Sequence, residues 1–285
     1  MMLIIITAAC AGRALAFSIP MPEAPGADVK SNRKAAIDYS NAQDGYVMIK
    51  YLERTNKQVR VIIKGPGGNS YTYTLNTNGD FEVYPLSDGS GDYSVDVFEQ
   101  VEGTKYASAN SAKIRARITD QFAPFLRPNQ YVNYNPNSRA VQRAASITGS
   151  AAGLTEMISA VYNFVIENIS YDQELARNVT SGYLPNIDAV LSSGKGICFD
   201  YSAVMAAMLR SLGIPCKLVV GHAGAVYHAW INAYSKETGW VNQVIFFDGV
   251  NWILMDPTFA SSSNQSADIM QFIGDGSNYS AKFQY

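Results

Sequence analysis

Cys198 is the residue of this chain whose type and setting best suit covalent chemistry. The segment Gly194-Lys195-Gly196 precedes it, and an Ala-, Met- and Leu-rich run, CFDYSAVMAAMLRSL, begins at it. The run predicts a helix over 198–212, which would put the sulfur at the positive end of a helix dipole, where a reactive thiolate is favoured. The glycines would let a substrate backbone approach and leave the Cys198 N–H as an oxyanion donor. The alternative is a small cysteine packed at a helix start.

The sequence has two histidines, and each is a candidate for the general base. His228 lies in Tyr-His-Ala-Trp on a predicted strand, where alternation puts Trp230 on the same face and fixes the direction of the imidazole. His222 lies in Gly-His-Ala-Gly, which predicts a turn and a place at the rim of a pocket. His228 is therefore the predicted base.

Asp256 ends a predicted strand, Trp-Ile-Leu-Met, and is followed by Pro257. A carboxylate at such a strand end could orient an imidazole and stabilise its charged form. The alternative is an aspartate that caps its own turn, and Asp248 before Gly249 is interpreted as a hairpin turn by the same rule.

The histidines and cysteines of the sequence predict no metal site, no cofactor site and no disulfide framework. Two histidines and two distant cysteines lack the close spacing of zinc ligands, and no calcium-binding loop is present in the sequence. Cys216 lies in an apolar predicted strand and is interpreted as core packing, so Cys198 and Cys216 are expected to be free thiols.

Four segments resemble the core motifs of the transglutaminase-like superfamily, in order and in spacing. They are GKGICFDYS at 194–202, LRSLGIPCK at 209–217, YHAW at 227–230 and WILMDPT at 252–258. The resemblance covers about residues 154–259, and ISYD at 169–172 also resembles the family, without an assigned role. It implies a papain-like arrangement in which Cys198 on a helix is the nucleophile, and His228 and Asp256 on neighbouring strands are the base and its orienter.

The first half of the chain predicts an antiparallel β-sandwich over 35–120. Turn clusters rich in Gly, Asn and Asp separate alternating runs at 46–51, 58–63, 71–75, 81–84 and 93–99. After a Pro- and Asn-rich connection at 121–150, a catalytic domain is predicted over 151–285, with helices from 154 to 169, near 189–191 and over 198–212. Strands are predicted at 216–221, 227–234, 244–247 and 251–255. The expected fold is α+β: a papain-like transglutaminase core preceded by an all-β immunoglobulin-like sandwich.

The N-terminus predicts export. Residues 1–16 contain a short apolar run typical of a signal peptide or a lipoprotein signal, with cleavage after Ala16 or lipidation at Cys10 as alternatives. Residues 17–34 are interpreted as a linker. An extracellular or cell-surface protein is expected, with membrane contact only through this signal or a lipid anchor.

The net charge and the motifs together exclude some classes of function and favour others. A net charge of −2 and a pI near 5.7 give no electrostatic basis for nucleic-acid binding. The family resemblance implies an enzyme that acts on amide bonds of a protein or peptide, such as a cell-wall or surface peptide, through a Cys198 thioester. Water would make it a peptidase or deamidase, whereas an amine would make it a crosslinking acyltransferase. The alternative is a catalytically inert surface binding or adhesion module.

Overall fold

A computed structural model describes residues 17–236, 239–241, 245–247, 252–254 and 278–285 of the chain. The predicted leader with Cys10 and Ala16 lies outside these residues, and so do Asp248 and Asp256. The predictions made for those positions therefore stay predictions.

Two four-stranded antiparallel sheets occupy most of the first half. One sheet has the order β1-β2-β3-β6, and the other has the order β5-β4-β7-β8. The strands are β1 (Val29–Ser31), β2 (Ala35–Asp38), β3 (Tyr46–Tyr51), β4 (Val59–Lys64), β5 (Ser70–Leu75), β6 (Glu82–Pro85), β7 (Gly91–Glu102) and β8 (Lys105–Ala116). In β4 and β5 buried side chains alternate with more exposed ones, because successive residues of a strand point to opposite faces. The buried faces of both sheets contribute to one apolar core.

Two strands of these sheets were not predicted from the sequence. β1 lies inside the predicted linker at 17–34 and pairs with β2. β8 pairs along β7, but its residues (KYASANSAKIRA) are mostly small or polar. Such residues have low strand propensity, so β8 depends on its long pairing with β7 rather than on its own composition.

The second half begins with helices. They are α1 (Arg139–Thr148), α2 (Leu154–Asn168), α3 (Gln173–Asn178), α4 (Ile187–Ser193) and α5 (Cys198–Ser211). α5 is central, because it packs on α1, α2 and α4 and on the strands that follow, and every residue from Asp200 to Ser211 is buried. α1 lies within the predicted connection at 121–150, so the helical half begins before residue 151, where the sequence predicts its start. Within the described residues, no helix is both long and apolar enough to cross a membrane.

An antiparallel sheet covers α5. Its order is β13-β12-β11-β16, built from β11 (Cys216–Ala223), β12 (Val226–Ser235), β13 (Gly239–Val241) and β16 (Tyr279–Gln284). β14 (Ile245–Phe247) and β15 (Trp252–Leu254) form a separate antiparallel pair. A short parallel pair joins β9 (Ser170–Tyr171) to β10 (Lys195–Gly196). The predicted order, helices first and antiparallel strands after, is confirmed, and the half is α+β.

Aromatic residues join the two halves. Tyr73 of β5 contacts Tyr131 of the connection, with ring centroids 5.6 Å apart, and Tyr285 at 5.9 Å. Tyr71 of the same strand contacts Phe283 at 5.5 Å and Tyr285 at 5.6 Å. The sandwich therefore packs directly on the end of β16, and residues from both halves belong to one core.

Candidate active site

Cys198 is the first residue of α5, as the sequence predicts, and a buried carboxylate fixes this helix start. Ile197 is extended, and its N–H donates to Oδ2 of Asp200 at 2.9 Å. The Tyr183 hydroxyl donates to the other oxygen, Oδ1, at 2.8 Å. Burial raises the pKa of Asp200, and the hydrogen bonds from Ile197 and Tyr183 oppose that rise. As the first helical residue, Cys198 has an N–H without a partner in the helical ladder, which leaves that N–H available to an oxyanion.

The glycines before Cys198 are used differently from the sequence-based expectation. Gly194 has a φ of +63° and ends α4, where its N–H donates to the Val190 carbonyl. A Cβ on Gly196 would lie 2.7 Å from the Cβ of Asp200. These glycines therefore allow the turn and the buried cap to form, rather than simply opening a path for substrate.

The ISYD segment has a structural role that the sequence did not reveal. Its strand β9 pairs with β10, and the Asp172 N–H donates to the Gly196 carbonyl at 2.9 Å. The Tyr201 hydroxyl of α5 donates to the Ile169 carbonyl at 2.6 Å. The Asp172 carboxylate accepts from the Leu175 N–H and caps α3. The segment thus holds the backbone that precedes Cys198.

His228 lies on β12, opposite Gly221 of β11, and is 4% exposed. Its ring stacks near that of Trp230, with centroids 6.4 Å apart and planes 22° apart, which confirms that both face the same side. A Cβ on Gly221 would collide with the Ser280 carbonyl and lie 2.9 Å from the Trp230 ring. Gly221 therefore lets β16 approach closely beside the histidine.

His222 departs from its predicted position. It lies within β11 rather than in a turn, is exposed, and contacts the Tyr227 ring edge-on at 5.4 Å. The turn falls one step later, at residues 224–225, because β11 and β12 continue their pairing to Ala223 and Val226.

Cys198 and His228 line the same cavity, of about 400 Å³. Cys198 is partly exposed. Burial raises the pKa of Tyr227, and the nearby Cys198 adds to that rise, so the strand and the helix start face each other there. Other walls come from the loop between α3 and α4, from Tyr131 and from Tyr285. The structure therefore brings the predicted nucleophile and base to one cavity, while Asp256, the predicted orienter, lies outside the described residues.

Cys216 is fully buried on β11, and burial raises the pKa of its thiol to about 12. Cys198 and Cys216 are both free thiols. In the segments that the structure describes, no group of three His, Cys, Asp or Glu side chains is placed to hold a metal ion.

Arg210 anchors α5 and was not singled out from the sequence. It is fully buried and donates to three main-chain oxygens: those of Cys216 at 2.9 Å, Arg127 at 2.7 Å and Tyr285 at 2.6 Å. An arginine between a leucine and a serine on a helix is usually interpreted as a surface residue unless its long-range main-chain partners are known. Tyr183 was missed for a similar reason, because its partner Asp200 lies on another element.

Comparison with known proteins finds one family model that matches part of the chain. Residues 141–257 match the model of the transglutaminase-like superfamily. The protein YebA of Bacillus subtilis, which is uncharacterized, is 25% identical over 200 residues, covering 59% of this chain and 26% of YebA. The match thus spans about a quarter of that relative's length.

Two solved structures are similar to part of this chain. A protein of Cytophaga hutchinsonii described as a candidate cysteine protease is 16% identical, with a TM-score of 0.39, covering 75% of this chain and 78% of its own. Red sea bream transglutaminase is 13% identical, with a TM-score of 0.30, covering 75% of this chain and 50% of its own.

Proposed function

We propose that this chain, whose residues 141–257 match the transglutaminase-like superfamily model, is a cysteine-dependent enzyme that acts on amide bonds through a thioester on Cys198. The observation that carries the proposal is that Cys198, at the start of α5, and His228, on β12, line one cavity. A nucleophile and a base that share a cavity meet the first geometric requirement of covalent acyl transfer.

The proposed reaction has two steps. The Cys198 thiolate attacks the carbonyl carbon of an amide, and the C–N bond breaks as His228 gives its proton to the leaving nitrogen. A thioester to Cys198 remains. In the second step an acceptor loses a proton to His228, attacks the thioester carbon, and releases the thiolate.

Two further groups complete the proposed machinery. The free N–H of Cys198 would donate to the oxyanion of the tetrahedral intermediate, in the way that helix starts bind negative charge. Asp256 would orient His228 and stabilise its charged form, as the third member of the triad.

The acceptor and the setting are also proposals. Water as the acceptor makes the protein a peptidase or deamidase, and an amine makes it a crosslinking acyltransferase. We propose that the substrate is a protein or peptide, that the protein is exported and acts outside the cell or at its surface, and that the leading sandwich is immunoglobulin-like. The alternative function is a catalytically inert surface binding module, in which Cys198 would have no activating partner.

Alkylation of the full chain by iodoacetamide at pH 7 tests the proposal. Cys198 should be labelled rapidly, and labelling should slow roughly tenfold or more in His228→Ala, because the base is what activates the thiol. Mass spectrometry after brief exposure measures the rate, and peptide mapping assigns the label to Cys198.

His222→Ala is the matched control, since it removes the other histidine, which is exposed on the neighbouring strand. It should leave the rate unchanged. Slow labelling of Cys198 in the parent, at the rate of free cysteine or below, would contradict the enzyme and favour the inert binding module.

A further inference from the structure

The cavity at Cys198 continues onto the β-sandwich. A second cavity of about 420 Å³ adjoins the first, and the two share lining residues that include Tyr131, Tyr227 and Tyr285. The second cavity extends over strands β4 and β5. Together the two cavities form a cleft, here called the Arg60 cleft, that runs from the candidate nucleophile to the face of the sandwich.

Aromatic and loop residues form the middle of this cleft. Tyr227 is 58% exposed at its rim, next to His228 in sequence, and offers an open ring to a ligand. Gly182, with a φ of +90°, brings the loop between α3 and α4 close to Thr74 of β5. The loop therefore reaches the sandwich and borders both cavities.

The far wall of the cleft is polar and bears a positive charge. Gln58, Thr72 and Thr74 line it with groups that can donate or accept hydrogen bonds. Among the described residues that line the two cavities, Arg60 is the only Arg, Lys, Asp or Glu. A ligand with a carboxylate would therefore be attracted to this wall, and no described lining residue of either cavity is acidic.

The Arg60 guanidinium is held in place before any ligand binds. It lies over the Tyr106 ring, 4.4 Å from the ring centroid, and the Tyr106 hydroxyl donates to Oε1 of Gln58 at 2.9 Å. A cation over an aromatic face is attracted by the ring, and this leaves the N–H groups at its edge able to bind a carboxylate. A guanidinium that is already oriented loses less freedom when it binds.

We infer that the Arg60 cleft binds an extended peptide segment that carries an acidic side chain, with that carboxylate at Arg60 and the reacting amide at Cys198. The inference rests on the proposed function for its catalytic end, and it makes the sandwich a determinant of substrate specificity. The main chain of the peptide would cross the Tyr227 rim and meet the hydrogen-bonding side chains of β4 and β5.

A binding experiment tests this inference without turnover. The probes are fluorescein-labelled peptides with one central glutamine in a Ser/Ala background, carrying a single Glu or a single Lys at each of five positions on either side. Their dissociation constants for the full chain bearing Cys198→Ala are measured by fluorescence anisotropy. At the preferred position, Glu should bind roughly two- to five-fold more tightly than Lys, as one exposed ion pair allows.

Arg60→Glu should reverse that preference, and Arg115→Glu should not. Arg115 is the matched control, because it is also an exposed arginine on a strand of the same sheet but lines neither cavity. No measurable binding, no difference between Glu and Lys peptides, or the same preference in Arg60→Glu would overturn the inference. Because binding is read on a variant without the nucleophile, this result is separate from the alkylation test of the enzyme.

Discussion

The two described cysteines differ in placement, and the placement of a thiol controls how readily it forms the reactive thiolate. Cys198 stands at a helix start and is partly exposed to a cavity. Cys216 is the first residue of β11 and is fully buried, and the positive charge of Arg210 acts to lower the pKa of its thiol. Burial disfavours the thiolate of Cys216 more than Arg210 favours it, so the pKa of Cys216 rises to about 12.

Cys216 should therefore resist alkylation in the folded protein across pH 7–9. A thiol with a pKa of about 12 holds very little thiolate at neutral pH, and each pH unit should raise its reaction rate about tenfold until the pKa is reached. Iodoacetamide labelling followed by mass spectrometry, with and without denaturant, measures this.

In denaturant Cys216 should react as an ordinary thiol, because its pKa returns to about 8.5 in an unfolded chain. Cys198→Ala serves as the background in which Cys216 is the sole thiol in residues 17–285. Fast labelling of native Cys216 at pH 7 would contradict its burial and its place in the core.

At this scale the sequence could predict that Cys198 begins a helix and that His228 lies on a strand, because local context marks each position. The glycine-flanked helix start marks the first, and strand alternation with Trp230 marks the second. Local context could not identify Tyr183, since its hydrogen bond to Asp200 depends on how the loop between α3 and α4 folds back onto α5. The position of Asp256 stays a prediction.

Among the elements, α5 begins at the proposed nucleophile, and a buried arginine holds its C-terminal half. The Arg210 guanidinium donates to main-chain oxygens from three parts of the chain: β11, the connection and the residue after β16. Burial lowers the pKa of Arg210, and the carbonyl dipoles compensate for the lost hydration. The helix that begins at Cys198 is thereby fixed to the sheet that carries His228.

Arg210→Lys should lower the free energy of unfolding by about 2–4 kcal/mol, because an ammonium cannot reach all three carbonyls and leaves buried acceptors unpaired. Urea unfolding followed by circular dichroism measures the change.

Arg115→Lys is the matched control for this prediction, since Arg115 is exposed on β8 and the same exchange should change stability by less than about 0.5 kcal/mol. A loss in Arg210→Lys no larger than that of the control would show that the three hydrogen bonds contribute little.

Helices and strands could be predicted where one buried face gives the sequence a periodic spacing of apolar residues. α2 and α5 were found from their apolar spacing and their end signals, and β11 and β12 from short apolar runs. β8 and α3 were missed because their residues are mostly small or polar and their position depends on neighbours. The secondary structure of β8 and α3 depends on the elements that they contact, and the local sequence pattern does not contain that information.

For the whole molecule, the largest difference from the sequence-based expectation concerns the connection at 121–150. Its Pro and Asn content predicts an extended link between two separate domains. In the structure Val132 and Tyr134 are buried, and Tyr131 lies between the sandwich and α5. Tyr131 contacts Tyr73 on one side and Phe199, the residue after Cys198, at 5.3 Å on the other.

Tyr73→Ala should therefore destabilise the whole molecule and not the sandwich alone. Tyr73 is 1% exposed and contacts Tyr84, Tyr131 and Tyr285, so its removal leaves a large cavity at the junction of the two halves. Loss of a buried aromatic side chain of this size costs about 3–5 kcal/mol. Because Tyr131 contacts Phe199, iodoacetamide labelling of Cys198 should also change in this variant.

Tyr73→Phe is the matched control, because it keeps the ring and its packing and should change stability by no more than about 1 kcal/mol. Urea unfolding followed by two probes distinguishes the outcomes: near-ultraviolet circular dichroism for the aromatic junction and iodoacetamide labelling of Cys216 for β11. If the halves are coupled, both probes should move together to lower urea in Tyr73→Ala. If the unfolding midpoint reported by Cys216 stayed at that of the parent while the aromatic signal shifted, the sandwich would be an independent domain. The proposal that the sandwich shapes the Arg60 cleft would then lose its support.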